Sequence, residues 1–193
     1  HPVQRVSSAH FGGKAMRINE TRPFKGSVAA AFPHTVPVLT GFLVLGIAYG
    51  MLMQSKGYGA PWALLMSGVA YCGSMQFAAI SLLTSAFDPL GAFVMSLLVN
   101  ARHLFYGVSL LEKYRGIGSA KPVLIYLLCD ETFSIISSVE PPEGVRPRNF
   151  YLAISSLNYP YWVGGTLLGS LAGQFIRFDT TGLDVALTGL FVV

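Results

Sequence analysis

The sequence predicts an all-α polytopic integral membrane protein, a bundle of about five complete transmembrane helices plus a truncated sixth. Composition is the first reason. Hydrophobic residues make up 52% of the 193 residues and charged residues only 11%, whereas charged residues usually make up ~25% of a soluble domain. The second reason is the placement of the charges, because residues 26–55 and 57–87 contain no Lys, Arg, Asp or Glu. About 20 predominantly apolar residues cross ~30 Å of hydrocarbon as a helix, so each interval can hold a span.

Six apolar stretches are the predicted spans, and prolines lie near the starts of several, where a missing amide hydrogen costs least. The spans are Thr35–Met53, Pro61–Phe87, Pro89–Leu111, Pro122–Val139, Phe150–Phe175 and the incomplete Leu183–Val193. The last has only eleven residues, too few to cross as a helix, so we interpret it as a truncated span. Pro160 lies within the fifth stretch and should kink or break that helix unless neighbouring groups satisfy the freed carbonyl.

The chain divides into a polar N-terminal arm, residues 1–25, which we expect to be disordered, and a transmembrane domain, residues 26–193, truncated at its C-terminus. Basic residues in the arm favour a cytoplasmic N-terminus. Simple alternation then places another basic loop outside, which conflicts with the same rule. The conflict disappears if Pro61–Phe87 is not a plain single crossing, and Gly73-Ser-Met-Gln76 interrupts its middle with small and polar residues. We therefore hypothesise that this segment is broken or re-entrant.

Glycines at helical spacing predict close helix packing. They occur as Gly46-x-x-x-Gly50 and as the tandem Gly165-x-x-x-Gly169-x-x-x-Gly173. Small residues on one face let two backbones approach closely. Because such patterns are common in spanning helices, we favour packing within the bundle over a subunit interface.

Small and polar residues also share faces on three predicted helices. They are Ser67, Tyr71, Ser74, Ala78 and Ser81 on the second segment, Ser96, Asn100, His103 and Gly107 on the third, and Asp130, Ser134 and Ser137 on the fourth. Such stripes either line a hydrated cleft or form interhelical hydrogen bonds, worth only ~0.6 kcal/mol each on average in a membrane. For the serines alone we favour hydrogen bonding.

Four ionisable residues lie near the centres of predicted spans: Arg102, His103, Asp130 and Glu131. A charge at that depth costs roughly 2.5–3.5 kcal/mol on insertion scales. Arg102 could pair with Asp130 or Glu131 as a structural ion pair, because buried charges usually persist only when paired. One pair leaves a carboxyl and a histidine unexplained. The four residues therefore indicate a polar site, and a pathway, inside the bundle.

Five stretches, in this order, resemble the signature stretches of the AzlC family, the large subunit of bacterial branched-chain amino-acid exporters. They are Gly46-Ile-Ala-Tyr-Gly-Met51, Ser67-Gly-Val-Ala-Tyr-Cys-Gly-Ser-Met-Gln-Phe77, Asn100-Ala-Arg-His-Leu-Phe-Tyr-Gly107, Asp130-Glu-Thr-Phe133 and Gly182-Leu-Asp184. Each stretch alone is weakly specific, but their order and spacing together are specific. The resemblance covers the chain from about Phe24 to Val193.

The resemblance implies a secondary transporter that exports leucine, isoleucine, valine and sometimes methionine from the cytoplasm. It also implies a multi-pass location in the bacterial inner membrane and a small hydrophobic AzlD-type partner subunit. The chain has no Gly-x-x-x-x-Gly-Lys-[Ser/Thr] phosphate loop, in agreement with a carrier that is not driven by ATP. We expect neither enzymatic activity nor a cofactor.

An amino-acid zwitterion needs donors for its carboxylate, acceptors for its ammonium group and an apolar pocket for its side chain. Arg102, a helix-break amide near Gly73, or Gln76 could supply the donors, and Asp130 or Glu131 could accept the ammonium. Phe77, Phe105 and Phe133 are the predicted pocket walls. The predicted substrate-binding or coupling residues are Gly73, Ser74, Gln76, Asn100, Arg102, His103, Asp130 and Glu131.

Two other classes of function compete with the carrier. A serine hydrolase would need Ser74 activated by His103, but the local sequence is Gly-Ser-Met-Gln rather than a Gly-x-Ser-x-Gly elbow. A non-transporting scaffold or channel-like membrane subunit is the main alternative. Cys72 and Cys129 have no zinc-site spacing, so we expect buried thiols and no metal. The net charge of +4 has no accompanying nucleic-acid motif and fits a neighbouring anionic lipid surface.

Overall fold

The computed structural model describes residues 24–86 and 88–175. Within these residues every regular element is a helix, which confirms the predicted all-α class. The predicted disordered arm, apart from its last two residues, and the predicted truncated span Leu183–Val193 lie outside the described residues, as do Gly182 and Asp184.

Two long helices frame the structure, and six shorter ones lie between them in the chain. The helices are α1 (Phe24–Ser55), α2 (Ala60–Val69), α3 (Gly73–Thr84), α4 (Pro89–Asn100), α5 (Arg102–Ser109), α6 (Lys121–Tyr126), α7 (Asp130–Ser138) and α8 (Pro147–Phe175), with a 3-10 turn at Gly118–Ala120 before α6. Pro61, Pro89 and Pro122 lie in the first turns of their helices, where the lost amide costs least.

The long helices run past the prolines that were expected to limit them. Helix α1 begins at Phe24 rather than near Thr35, and it contains Pro33 and Pro37. Helix α8 continues through Pro160 to Phe175, so the break predicted there is not observed. Both helices are packed along much of their length, and packing can hold a helix together at a proline that removes one hydrogen bond.

Helices α1 and α8 pack closely and run parallel. Along the two helices, Gly46 lies against Gly165, Gly50 against Gly169 and Gln54 against Gly173. The predicted glycine faces therefore meet each other within one chain, as favoured from the sequence.

The parallel direction limits how the middle segments can cross a membrane. If α1 and α8 both cross it, the chain must cross an odd number of times between them to return to the same side. Three crossings by the middle segments satisfy this condition, whereas two crossings and one re-entrant segment do not.

Each of the three predicted middle spans is interrupted. The break hypothesised in Pro61–Phe87 falls at residues 70–72, where Tyr71 has φ +40°, a left-handed conformation that is uncommon outside glycine. Pro122–Val139 is divided at residues 127–129. In Pro89–Leu111, α4 and α5 meet at Ala101, whose backbone stays helical (φ −55°, ψ −33°) while the hydrogen bonding tightens to a 3-10 turn. The sequence did not predict these two further interruptions. Within the described residues only α1 is both long and apolar enough to be recognised as a span by itself, so the predicted count of five is not confirmed.

The outer surface of α4 and α5 is apolar. Neither helix contains a buried residue, although both carry large hydrophobic side chains. The most exposed are Leu90, Leu98, Leu104, Phe105 and Val108. Soluble monomers rarely expose apolar patches of more than a few hundred Å². This surface is therefore suited to contact with lipid or with other protein segments.

Lys113 fastens the C-terminal end of α7 to the loop after α5. Its Nζ donates to the carbonyls of Ile136 and Ser137 at 2.8 and 3.1 Å and lies 2.8 Å from Glu140 Oε1. A cation suits this end of a helix, where carbonyls lack intrahelical partners. Helix α7 is thereby held at the end opposite to Asp130.

We expect Lys113→Met to lower the free energy of unfolding by about 2 kcal/mol, because it removes charge-assisted hydrogen bonds to otherwise unpaired carbonyls. Thermal unfolding of the purified protein in detergent measures the change. Lys121→Met is the matched control, since Lys121 is exposed and should change stability by less than about 0.5 kcal/mol. Equal stability of the two variants would contradict the capping role.

Candidate functional site

The three interrupted segments meet at one cavity of about 40 Å³. Helices α3, α5 and α7 begin there, and their first residues are Gly73, Arg102 and Asp130. The first amides of a helix lack intrahelical partners and point the positive end of the helix dipole outward. The cavity lining comprises Phe42, Leu45, Tyr71, Cys72, Gly73, Ser74, Arg102, His103, Cys129, Asp130, Glu131 and Trp162. Six of the eight predicted site residues are in this set.

A network of charged and polar side chains holds the three helix starts together. Arg102 Nη1 lies 2.6 Å from Asp130 Oδ2, and Arg102 Nη2 donates to Ser74 Oγ. Tyr106 donates its hydroxyl hydrogen to the other oxygen, Asp130 Oδ1, at 2.8 Å. Both oxygens of Asp130 are thus engaged. The Arg102 and Asp130 side chains remain 35% and 36% exposed, so solvent or a ligand can reach the pair.

Glu131 and His103 lie beside this network with fewer partners. No salt bridge to Glu131 is present among residues 24–86 and 88–175. Glu131 follows Asp130 by about 100° around the helix, which explains why only one of the two carboxylates reaches Arg102. The His103 ring packs edge-on against Tyr106 at 5.3 Å. Within the described residues its Nδ1 is buried and has no hydrogen-bond partner. Both side chains keep hydrogen-bonding capacity for a ligand.

The apolar side of the cavity comes from the long helices. Phe42 and Leu45 of α1 and Trp162 of α8 line it, and the Phe42 and Trp162 rings meet edge-to-face at 5.4 Å. The three phenylalanines predicted from the sequence as pocket walls do not line this cavity. They face elsewhere: Phe77 is buried against Tyr49, Phe105 is exposed on α5, and Phe133 stacks on Tyr106.

Gln76 and Asn100 do not line the cavity, and each forms a hydrogen bond with a residue that does. Gln76 Nε2 donates to Ser67 Oγ at 2.9 Å, and Trp162 Nε1 donates to Gln76 Oε1 at 2.9 Å. Asn100 Oδ1 accepts a hydrogen bond from Cys72 Sγ at 3.2 Å. The proposed direct contact of Gln76 with a substrate is therefore not supported. Both amides instead support residues that line the cavity.

Comparison with known proteins identifies the family. The family model described as AzlC protein matches residues 37–176. The chain belongs to the AzlC family. The branched-chain amino acid transport protein AzlC of Bacillus subtilis is 43% identical over 96% of this chain and 74% of its own length. An uncharacterized membrane protein of Helicobacter pylori is 41% identical over 84% of this chain and 72% of its own length. The inner membrane protein YgaZ of Escherichia coli is 22% identical over 79% of this chain and 64% of its own length.

No solved structure matches this AzlC-family chain. The names of the relatives denote membrane proteins, and helix α1 has the length and composition of a span. Together with the apolar surface of α4 and α5, these findings place the chain in a membrane. The family match and the name of the Bacillus subtilis relative also support a transport role.

The polar stripes expected on straight helices are redistributed by the breaks. Ser67 and Ser74 lie on different helices, α2 and α3, because the chain changes direction at Tyr71. Ser67 shares a hydrogen bond with Thr166 of α8 at 2.8 Å, the interhelical role that we favoured for the serines. Ser74 instead reaches the cavity and Arg102.

In the described residues of this AzlC-family chain, Ser74 and His103 do not form the nucleophile–base pair of a serine hydrolase. A serine nucleophile needs a base within hydrogen-bonding distance. In the described part of the chain, the Ser74 hydroxyl contacts the Arg102 guanidinium and the Cys72 thiol, and no hydrogen bond joins it to His103. A guanidinium cannot act as the base because it stays protonated.

Sequence reasoning missed Phe42, Leu45, Tyr106 and Trp162 as site residues. Tyr106 lies four residues after Arg102 on α5, a spacing that places both on one helix face, so this signal was present. Phe42 and Leu45 lie in an apolar run where every turn looks alike. Their position at the cavity depends on how α1 and α8 pack, which the local pattern does not encode.

Proposed function

We propose that this chain exports leucine, isoleucine and valine across the bacterial inner membrane as a secondary transporter. The observation that carries the proposal is the cavity where three broken helices begin. It places an arginine, two carboxylates and an apolar wall around one space, which are the groups that an aliphatic amino-acid zwitterion requires. The name of the Bacillus subtilis relative, a branched-chain amino acid transport protein, supports the substrate class.

Arg102 binds the substrate carboxylate in this proposal. A guanidinium has five N–H donors in a fixed fork, and Asp130 and Ser74 occupy two of its nitrogens. Within residues 24–86 and 88–175, Arg102 Nε is buried without a hydrogen-bond partner, so the guanidinium retains donor capacity. Amides at the start of α3, near Gly73, add donors and the positive end of a helix dipole.

Glu131 accepts the substrate ammonium group, and Asp130 positions Arg102. The sequence alone did not decide whether Asp130 or Glu131 accepts the ammonium group. Since Arg102 and Tyr106 engage both oxygens of Asp130, its capacity is largely used. Glu131 also lines the cavity and follows Asp130 on the first turn of α7. Separate partners for the two carboxylates agree with their different directions on the helix.

The aliphatic side chain of the substrate lies against Phe42, Leu45 and Trp162. The cavity of about 40 Å³ is far smaller than the roughly 300–1,000 Å³ usual for ligand pockets. An amino acid does not fit the described cavity, so in this proposal the helices that begin there move apart to admit it. Broken helices at a substrate site are typical of secondary transporters that alternate access by such movements.

His103 is the coupling residue of the proposal. The histidine lies among Arg102, Tyr106, Asp130 and Glu131, and its buried Nδ1 lacks a hydrogen-bond partner within the described residues. Proton coupling requires a group that takes up and releases a proton, and imidazole is suited to this role.

A small hydrophobic AzlD-type subunit is the partner in this proposal. The exposed apolar faces of α4 and α5 offer a surface to which it can bind.

Counterflow in proteoliposomes tests the transport function. Vesicles containing the full-length protein with its partner subunit are loaded with unlabelled leucine and placed in labelled leucine. A carrier produces transient accumulation of the label, whereas a channel-like subunit gives only equilibration and a scaffold gives no flux. Absence of counterflow for leucine, isoleucine and valine would contradict the proposal. Release of leucine from preloaded cells tests the direction of transport.

The native thiols provide a test of the binding site. Cys72 lines the cavity, and the chain has only two cysteines. In a Cys129→Ser variant, we expect saturating leucine to slow maleimide labelling of Cys72 by about tenfold or more, because bound ligand removes access in proportion to site occupancy. Glutamate at the same concentration is the control ligand. Identical labelling rates with both amino acids would contradict binding at this cavity.

A further inference from the structure

Trp162 forms a fixed wall of the cavity. Its side chain is only 3% exposed, packs edge-on against Phe42 at 5.4 Å and stacks near Tyr49 at 6.2 Å. Opposite these rings, the indole reaches the start of α3. A Cβ added to Gly73 would lie 3.1 Å from Trp162 Cη2. The absence of a side chain at Gly73 therefore leaves the space that the edge of the indole needs.

A buried hydrogen-bond chain fixes the orientation of this indole. Trp162 Nε1 donates to Gln76 Oε1 at 2.9 Å, and Gln76 Nε2 donates to Ser67 Oγ at 2.9 Å. Ser67 in turn shares a hydrogen bond with Thr166, one turn after Trp162 on α8, at 2.8 Å. Gln76, Ser67 and Thr166 are fully buried. Buried polar networks whose members are satisfied hold side chains in one arrangement.

We propose that Trp162, oriented by Gln76 and packed against Gly73, sets the largest substrate side chain that the site accepts. The inference rests on the proposed function and adds a specificity-determining residue to it. Because Phe42, Gln76 and the start of α3 hold the indole in place, it cannot move away from a larger ligand. The site therefore admits branched aliphatic amino acids and excludes aromatic ones. Gln76 acts as a positioning residue, since it holds the indole and does not line the cavity.

The test compares counterflow of leucine, valine and phenylalanine in variants of the complete transporter. We expect Trp162→Leu to raise the rate of phenylalanine relative to leucine by about tenfold or more, because a hydrophobic pocket discriminates one methylene by roughly 10–200-fold. Gly73→Ala should shift the preference the other way, from leucine toward valine by about tenfold, because its new Cβ pushes the indole into the cavity. The opposite directions separate size selection from a general loss of transport.

Gln76→Met tests the positioning role. It removes the acceptor of the indole hydrogen while keeping a similar side-chain volume, so the phenylalanine-to-leucine ratio should rise although the cavity wall is unchanged. Gln76→Glu keeps an acceptor for the indole hydrogen, so this variant should retain the preference for leucine over phenylalanine. Ser170→Ala is the control for disturbance of buried polar groups in α8, because Ser170 is buried and does not line the cavity. It should leave the ratio unchanged.

Unchanged ratios in both Trp162→Leu and Gly73→Ala, with leucine still transported, would overturn the inference and leave the proposed function intact. Failure of the unmodified protein to transport both leucine and valine would instead contradict the proposed function. If Trp162→Leu does not yield folded protein by size-exclusion chromatography, Gly73→Ala decides alone, and an unchanged leucine-to-valine ratio then overturns the inference.

Discussion

Arg102→Ala is expected to reduce efflux of leucine by about a hundredfold or more, while the amount of protein in the membrane stays unchanged. The substitution removes the cation proposed to bind the substrate carboxylate. It also removes the ion pair with Asp130 at 2.6 Å. Truncating one partner of a hydrogen-bonded charge pair at a binding site, here the guanidinium and the substrate carboxylate, costs about 2–5 kcal/mol of binding free energy. Each 1.4 kcal/mol corresponds to a factor of about ten. Asp130→Asn should abolish efflux as well, because it removes the charge that positions the guanidinium.

Counterflow of labelled leucine measures the effect, and Arg115→Ala is the matched control. Arg115 also forms a salt bridge, with Glu112 Oε1 at 2.9 Å, but these side chains are 75% and 73% exposed. Exposed pairs contribute at most about 1 kcal/mol, so the control should transport normally. Export at the unmodified rate by well-expressed Arg102→Ala would show that the guanidinium is dispensable.

A charge exchange separates a transport role from a structural role of the same pair. The double variant Arg102→Asp with Asp130→Arg keeps opposite charges on α5 and α7. If the pair only stabilises the bundle, transport should return with stability. If Arg102 binds the substrate carboxylate, stability recovers and transport does not, because the cation now begins α7, next to Glu131.

Gly169→Ala is expected to destabilise the protein by more than about 2 kcal/mol, since forcing extra atoms into a packed interface typically costs about 1–3 kcal/mol. A Cβ at this position would lie 2.6 Å from Ile47 Cα and from its carbonyl carbon. Backbone atoms cannot rotate away as a side chain can, so α1 and α8 would have to separate. Shorter helices pack against α1 and α8, so separation of these two helices should weaken that packing as well.

Gly164→Ala on the same helix is the control, because nothing lies within 4 Å of a Cβ there. It gains the helix propensity of alanine, worth up to about 1 kcal/mol over glycine, without a steric cost. The two substitutions should therefore change the thermal stability of the detergent-solubilised protein in opposite directions. Similar melting temperatures for both variants would contradict the close approach of α1 and α8.

Much of the fold could be predicted from sequence because its signals are local. The scarcity of charge indicates a membrane helix bundle, and the glycine spacing indicates the face that meets another helix. Gly73-Ser-Met-Gln76 indicated an interruption of the second segment, but the break lies just before these residues, at 70–72, and the four residues themselves form the first turn of α3. The 3-10 turn at Ala101 and the break at residues 127–129 carry no comparable signal. They depend on contacts between segments distant in sequence.

The sequence by itself determined the family, the helical class and the four ionisable residues that a membrane tolerates only at a cost. Only the tertiary structure decided how these residues divide their tasks. It paired Arg102 with Asp130 rather than Glu131, turned Gln76 away from the cavity, and supplied the apolar wall from Phe42, Leu45 and Trp162. The physical reason is that helix periodicity fixes which side chains share a face, whereas the neighbour of that face depends on close packing between separate helices.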